Sequence, residues 1–506
     1  MGNAAILIYD FGTTALKTSL YDKNLNLVDC ISREFHYEYP QKGFVEMDPE
    51  LYWELALSSA IEILERNNCK DSVDIISVTG QAETIIPVGK DGKYVRKAIV
   101  WPDTRAEKES GYLKSKICLE DFYNKTGLTE IGPVWPVNKI AWIRNNESEV
   151  YKRTFKFLLL KDYILYRLTG EIVSDPTVCS WSGCFDIRSR VWWQDILDIM
   201  EIDKQKLPNV RESLDIIGTL RKDVQTTLGL TGKVRVVNGL LDQCASVIGA
   251  GNIRPGGLTE TTGTVLALAT MIDDINTFNP KGLINIMCHG IPGRHMALTY
   301  CNTAGILLKW FKDNFCEKEI YEAQRQNRNV YALLDDMAGS IDKVDPKLVL
   351  LPHFCGCTYP ESNQQASGVL FGLDLGTGKA HIIKAIMEAV AFLLRENINF
   401  IENNGFPIRD IISLGGAAKS PVWLQIKSDV LNRKIITLEN EESASLGCAF
   451  MAGLSAGLYT DINYIKKIIR IKKEYFAEST RTEAYERKYR LYLDLYGALR
   501  NLYNRI

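Results

Sequence analysis

The feature that most constrains this chain is an apolar strand that ends on an acid and runs straight into a Gly-Thr turn. Ala4 to Asp10 is a buried-type strand, Gly12-Thr13-Thr14 is a tight turn, and Leu16 to Tyr21 alternates as a second strand. Asp22-Lys23-Asn24 then turns the chain into a third strand, Leu25 to Ser32. The pattern returns late in the chain. Arg235 to Gly239 reads as a strand, Asp242 to Gly249 as a small-residue helix, and Leu258 to Thr270 as two strands joined by Gly263-Thr264. A Gly-Thr hairpin in each half implies a local duplication: two α/β domains of like topology facing each other across a cleft. No fixed-period repeat accompanies it.

Length agrees with two domains. A single core stops growing near 250 to 300 residues, and this chain has 506. The expected division is 1–245 and 246–506. Sixty Lys and Arg stand against 62 Asp and Glu, a net charge of -2 that gives no overall basic face for nucleic acid. No apolar stretch approaches the roughly 20 residues of a membrane span. The first strand follows with no basic leader or cleavage site, so a cytoplasmic protein is expected. Twelve cysteines are scattered without a C-x-x-C, which fits free thiols in a reducing compartment. The five histidines lack metal-ligand spacing.

The hairpins carry the chemistry. Gly12 lets backbone N–H groups approach a phosphate, Thr13 and Thr14 add hydroxyls, and Lys17 adds positive charge. Asp10 can hold Mg²⁺, usually through water. No Walker loop and no GxGxxG are present, and an ordinary Gly-turned hairpin is the plainer alternative. Asp242 is the candidate base, able to orient an attacking hydroxyl and take its proton; a helix-capping aspartate is the alternative. Gly415-Gly416 follows the strand Ile411 to Leu414 and precedes a helix opened by Ser420-Pro421, leaving room for a base or ribose. Trp101 to Arg105 places Asp103 and Arg105 in one loop, either to grip hydroxyls or as an exposed ion pair. Asp374 to Lys379, DLGTGK, resembles a phosphate loop but leads into a helix over 381–403, so it reads as a cap. The tail from Ile465 reads as surface helices.

Together these residues resemble the FGGY carbohydrate kinase family of the actin/hexokinase-like ATPase superfamily, from Ile6 to about Tyr459. The resemblance implies an α/β fold of two actin/hexokinase-like (RNase H-like) domains, with Mg²⁺-ATP and a sugar in the cleft. Asp10 to Thr14 and Gly263-Thr264 look like its two phosphate motifs, and Gly415, Gly416, Ala417 and Ser420 like its adenosine motif. Asp242-Gln243 matches the catalytic aspartate and its neighbour, and Asp10 and Asp242 take the metal role. Gln81, Ala82, Glu83, Asp103, Arg105 and Trp135 fall at the sugar site. Ala444 to Gly453 matches the small-residue helix that follows. The implied partner is a small sugar or polyol, with a homodimer as one assembly open to the family.

Substrate signals are mixed. Xylulokinases of the family carry Gly-Gln-Met-His-Gly where this chain has Gly-Gln-Ala-Glu-Thr. Glu83-Thr84 and Asp242-Gln243 look glycerol-kinase-like, but Ala82 replaces that group's arginine and its tyrosine falls near Val134 or Trp135. The C-terminal half is closer to the xylulokinase style. A ketopentose or pentitol is the first expectation, glycerol or a tetritol the second. An actin-like nucleotide switch is the alternative of another class. Thr14→Val and Thr264→Val are each expected to lower ATP-dependent turnover, because each deletes a hydroxyl aimed at phosphate, and Thr377→Val much less. Steady-state kinetics that found Thr377→Val the most damaging of the three would overturn this choice of loops.

Overall fold

Turn chemistry and alternation build the first hairpin as expected. The structure, a computed structural model, describes residues 4–275, 284–357, 362–503 and 505. In it β1 (Ala4–Phe11) and β2 (Ala15–Asp22) pair antiparallel with Asp10 opposite Lys17. The Gly12 N–H donates to the Ala15 carbonyl at 3.0 Å and closes the turn. β3 (Leu27–Glu34) extends the hairpin. On the other side of β1 lies β4 (Ile75–Gly80), parallel to it. With β5 (Ile216–Thr219) and β6 (Arg235–Leu241) the sheet order is β5-β6-β4-β1-β2-β3.

Register decides what this sheet presents. Phe11 pairs with Gly80, and Gly80 pairs with Leu241. The carboxyl ends of β1, β4 and β6 therefore finish level, which brings Asp10, Gln81 and Asp242 to one edge. Parallel strands collect ligands at that end. The helix Pro49–Arg66 covers the sheet, its Asp48 cap accepting from the Glu50 N–H at 2.8 Å. Its Tyr52 packs edge-on against Phe11 and Phe35.

The chain forms two compact units. One comprises Met1–Ile253, Met271–Ala297 and Glu442–Ile469; the other comprises Arg254–Thr270, Leu298–Glu441 and Arg470–Ile506. The second unit repeats the theme of the first. β7 (Gly257–Thr262) and β8 (Leu266–Ile272) pair antiparallel around Gly263-Thr264. β7 runs parallel to β9 (Asp410–Leu414), and β9 parallel to β10 (Ile435–Leu438). Each unit thus has an antiparallel hairpin whose first strand starts a parallel run, the like topology that the two Gly-Thr turns implied.

The tail departs from expectation. β11 (Ile471–Tyr475) pairs antiparallel with β10, so this segment is a strand rather than a surface helix. Its lysines are exposed, as suits a sheet edge protected from further pairing. The helix Ser479–Tyr503 is also less superficial than expected. It buries Tyr485, Lys488, Tyr489 and Tyr492, and Lys488 Nζ meets Glu388 Oε2 at 2.5 Å in the interior.

In the first unit the helix Asp242–Gly249 lies against the helix Ser443–Ser455 through glycine. A Cβ at Gly447 would sit 1.9 Å from the Ala245 carbonyl oxygen, and one at Gly249 would sit 1.9 Å from that of Ser443. Two backbones this close tolerate no side chain between them. Gly447→Ala should destabilise the protein by roughly 1–3 kcal/mol and lower turnover, since the helix it displaces begins at Asp242. Denaturant unfolding with parallel kinetics checks both; unchanged stability would show that the helices part freely.

Candidate active site

Asp10 ends β1, and its partner across the hairpin, Lys17, faces another acid. Lys17 Nζ lies 2.8 and 2.6 Å from the two carboxylate oxygens of Glu442, the residue that caps the helix Ser443–Ser455. Lys17, expected to meet phosphate, is partly exposed and ion-paired with this carboxylate here. Sequence reasoning missed Glu442, whose approach depends on a contact 425 residues away in sequence. Burial and then the Asp242 charge push the Asp10 carboxyl up to about 7, against the opposing charge of Lys17. Burial likewise pushes Asp242 up to about 6, against a hydrogen bond from the Gln243 N–H to Asp242 Oδ1 at 2.6 Å. Asp242 is the first residue of its helix; Leu241 occupies the cap position. The Thr13 and Thr14 side chains at the hairpin tip are exposed.

The segment after β4 carries the other expected residues. Gln81 donates from Nε2 to the Gly12 carbonyl at 3.3 Å and accepts from the Thr84 hydroxyl at 3.1 Å, tying this segment to the phosphate turn. Glu83 adopts φ +57°, a left-handed conformation uncommon for a residue with a side chain and a mark of functional sites when the surroundings enforce it. The enforcing group is Lys139. Its ammonium donates to the carbonyls of Glu83, Val100 and Trp101 at 3.0, 2.9 and 3.1 Å. Burial, Lys139 and Asp242 all act on Glu83; the first and last win and raise its carboxyl. Burial depresses the Lys139 ammonium. Lys139 was not foreseen, because one lysine in the helix Pro136–Asn146 reads as an ordinary solvated residue. Ala82 is buried beside Glu83.

Asp103 and Arg105 are neither exposed nor open. Arg105 Nε lies 2.9 and 3.0 Å from the two Asp103 oxygens, and Nη1 lies 2.8 Å from Glu46. Its guanidinium stacks over Phe44 with 4.0 Å to the ring centroid. Asp103 also accepts the Val45 N–H at 2.6 Å. The pair therefore folds the loop, and Glu46, which the sequence did not single out, completes it. Trp135 is buried against Trp181 and donates from Nε1 to the Glu130 carbonyl at 2.9 Å, so it forms a wall behind the loops.

The second unit holds its own cavity, of about 740 Å³. Gly263, Thr264, Gly416, Ala417 and Ser420 all line it, so the second Gly-Thr turn and the Gly-Gly turn meet as expected. Gly415 has φ +82°, and a Cβ there would lie 2.9 Å from the Thr262 carbonyl oxygen. Ser420 caps the helix Pro421–Leu431 through the Trp423 N–H at 3.0 Å. Beneath the turn, buried Lys427 bonds Glu260 at 2.6 Å and the Thr262 hydroxyl at 2.8 Å. Tyr331 and Asp335, unforeseen, add a ring and an acceptor to the wall. Gly305 also lines it, and its N–H donates to the Gly263 carbonyl at 2.8 Å. The DLGTGK segment bonds to itself: Asp374 Oδ1 accepts from the Gly376 N–H at 2.9 Å and from the Thr377 hydroxyl at 3.1 Å, ahead of the helix Lys379–Asn403.

Among the described residues no three His, Cys, Asp or Glu side chains gather into a metal cage. Asp10 and Asp242 do fit Mg²⁺, which is usually held by one or two carboxylates with water and phosphate oxygens completing its shell. Burial and, after it, the Asp242 charge raise the Asp10 carboxyl, and a divalent cation would relieve both.

Holding the Asp10 charge at this buried strand end has a cost in the free protein. The folded Asp10 carboxyl titrates near 7, above the ordinary value near 3.9 that it takes when unfolded. Folding is therefore unpenalised below about pH 4 and loses stability as pH rises through about 7. Asp10→Asn removes the buried charge. At pH 8 without ligands it should be more stable than the parent by at least about 1 kcal/mol, and the gain should shrink towards pH 5. Paired melts at the two pH values test this, and a less stable variant at pH 8 would refute it.

Comparison with known proteins places this geometry. Residues 5–249 match the FGGY family of carbohydrate kinases, N-terminal domain, and residues 277–456 match its C-terminal domain. The chain is 27% identical to the xylulose kinase of Staphylococcus xylosus over 97% of its own length and 100% of that protein. It is 28% identical to a glycerol kinase of Saccharolobus islandicus, covering 94% of this chain and 93% of the other. The crystal structure of gluconate kinase from Lactobacillus acidophilus superimposes with a TM-score of 0.88 and 25% identity, covering 99% of each chain. A two-domain α/β fold, matched end to end, and both family domains in order make this chain a member of the FGGY family of carbohydrate kinases, and hence a phosphotransferase.

Proposed function

We propose that this kinase transfers the γ-phosphoryl group of ATP to a hydroxyl of a neutral five-carbon ketose or pentitol, with xylulose as the reference substrate. One observation carries the choice. Asp10, Glu83 and Asp242 share one electrostatic field, while the nearby cations are already engaged: Lys17 by Glu442, Lys139 by three carbonyls, Arg105 by Asp103 and Glu46. A neutral polyol brings hydroxyl donors to these acceptors. An aldonate such as gluconate would bring a further carboxylate to them, a burial that costs heavily without a free cation. Ala82 leaves volume for a chain longer than glycerol. Glycerol is the second reading, favoured by Glu83-Thr84 and Asp242-Gln243.

The residues divide the work as follows. Asp242 orients the attacking hydroxyl and takes its proton as the new O–P bond forms; the bond from the γ-phosphorus to the bridging oxygen breaks, and ADP leaves. Gln81 and Glu83 hold the neighbouring hydroxyls, and Gln243 follows Asp242 at the same edge. Thr13, Thr14 and the Gly12 backbone serve the phosphates. Gly263 and Thr264 form a second phosphate turn on the same cavity as Gly416 to Ser420, the segment that with Gly415 accepts the adenosine. Mg²⁺ on Asp10 and Asp242 would offset the phosphate charge. In functional terms 1–245 supplies the sugar site and first phosphate turn, and 246–506 the second turn and the adenosine site. All twelve cysteines are free thiols, which supports a cytoplasmic setting. Among the described residues no helix is long and apolar enough to cross a membrane.

Asp242→Asn should lower kcat by roughly 10²–10⁴-fold while nucleotide binding is kept, and near-normal turnover would remove Asp242 from the role. Because the base must be ionised, kcat/KM of the parent should fall about tenfold per unit as pH drops below about 6. A side-by-side kinetic comparison of glycerol, erythritol, xylitol, D-xylulose, L-xylulose, D-ribulose and gluconate tests the substrate class. The best five-carbon compound should exceed glycerol and gluconate by at least about tenfold, or about 1.4 kcal/mol. Gluconate in first place would overturn the neutral reading, and glycerol in first place would restore the second one.

A further inference from the structure

Away from the aligned strand ends, the first unit carries a cavity of about 1200 Å³ that the kinase reaction does not use. Its wall is formed by the turn after the strand Ile85–Val88, the end of the helix Ser148–Arg153 with the strand that follows, the edge of the hairpin at Val191, and the segment 203–210. The chain as a whole has two more acids than bases, yet this wall is strongly basic. Lys90, Lys93, Arg153 and Lys204 are exposed on it and have no ion-pair partner among the described residues. Lys156 and Lys206 are half-buried and cross-pinned: Lys156 donates to the Leu207 carbonyl at 2.9 Å, and Lys206 to the Thr154 carbonyl at 2.5 Å. The two carboxylates of the wall are occupied by their own turns, Asp91 accepting from the Lys93 N–H at 3.1 Å and Asp203 from the Gln205 N–H at 2.9 Å.

We propose that this cavity is a binding site for a small polyanion carrying two or more phosphate groups. Cations that outnumber the carboxylates beside them raise the local potential, and an incoming polyanion discharges it. Lysine is a point-charge phosphate binder, and several on different segments suit a ligand with several separated charges. Burial depresses the Lys206 ammonium against the Asp203 charge, and the neighbouring Lys90 depresses it further. Phe155 and Val191, 40% and 50% exposed, offer an apolar ledge for a ligand's organic body. The cavity is concave and segment-lined, which favours a compact ligand over a long nucleic acid or a membrane.

The test uses the full chain and inorganic tripolyphosphate as probe, with isothermal titration at low salt. The parent should show binding at two classes of site, one at the nucleotide phosphate loops and one here. Lys90→Glu, Lys93→Glu, Arg153→Glu and Lys204→Glu combined changes only exposed side chains without ion-pair partners, so folding and the KM for ATP should be kept. The second class should weaken at least tenfold in this variant, and should weaken in the parent as salt is raised. An isotherm identical to the parent's would overturn the proposal. So would tight, variant-sensitive binding of a 20-nucleotide single-stranded DNA with none of tripolyphosphate at that site, which would assign the cavity to nucleic acid instead.

Discussion

One ammonium organises the sugar-binding side of the first unit. Lys139 spends its three protons on the carbonyls of Glu83, Val100 and Trp101. Those carbonyls belong to two segments, the turn at Glu83 and the end of the strand Ala98–Ile99, which the ammonium ties together. A buried cation with three acceptors is tolerable where an isolated one is not. In return, the left-handed backbone at Glu83 is held in place and its carboxyl is directed to the same field as Asp242. Removing the ammonium would take the donor from the Glu83 and Trp101 carbonyls and leave Val100 with the Asp103 N–H alone, at 3.1 Å; groups left unsatisfied in this way cost more than the bonds themselves contribute.

The carboxyl ends of β1, β4 and β6 impose the complementary constraint. Level strand ends bury acids where the sheet offers few compensating donors, and the raised Asp10 and Asp242 carboxyls follow first from that burial. Unliganded, the arrangement is unfavourable. It persists because the apolar strand behind each acid is fully buried and the hairpin, helix and glycine contacts around it leave no alternative register. Strain of this kind is an expected signature of a site that becomes comfortable only when loaded.

Local signals carried the legible part of the fold. An apolar run into Gly12, and Ser420-Pro421 ahead of a helix, are decided by residues adjacent in sequence, and both read correctly. Pairings between distant segments were not legible. The loop holding Asp103 and Arg105 reads as open polar chemistry until Glu46 and Phe44 arrive from elsewhere to close it. The pairing of Lys17 with Glu442 is equally invisible in the local sequence. The lysine-rich β11 has the composition of a solvated helix and is a strand only because β10 supplies its partner. In each case the tertiary neighbour, and no local propensity, made the decision.

The path of the chain has a consequence for how this protein comes into being. The first unit draws on three stretches, and the last of them, Glu442–Ile469, supplies the helix whose glycine lies against the helix begun by Asp242. A nascent chain emerging from the ribosome therefore completes most of its first sheet early but cannot close that unit until nearly the whole polypeptide has been made. Until then Gly249 and its neighbours present an unfilled groove. Neither unit corresponds to a contiguous fragment, so this kinase cannot be divided into separately folding halves at any single peptide bond.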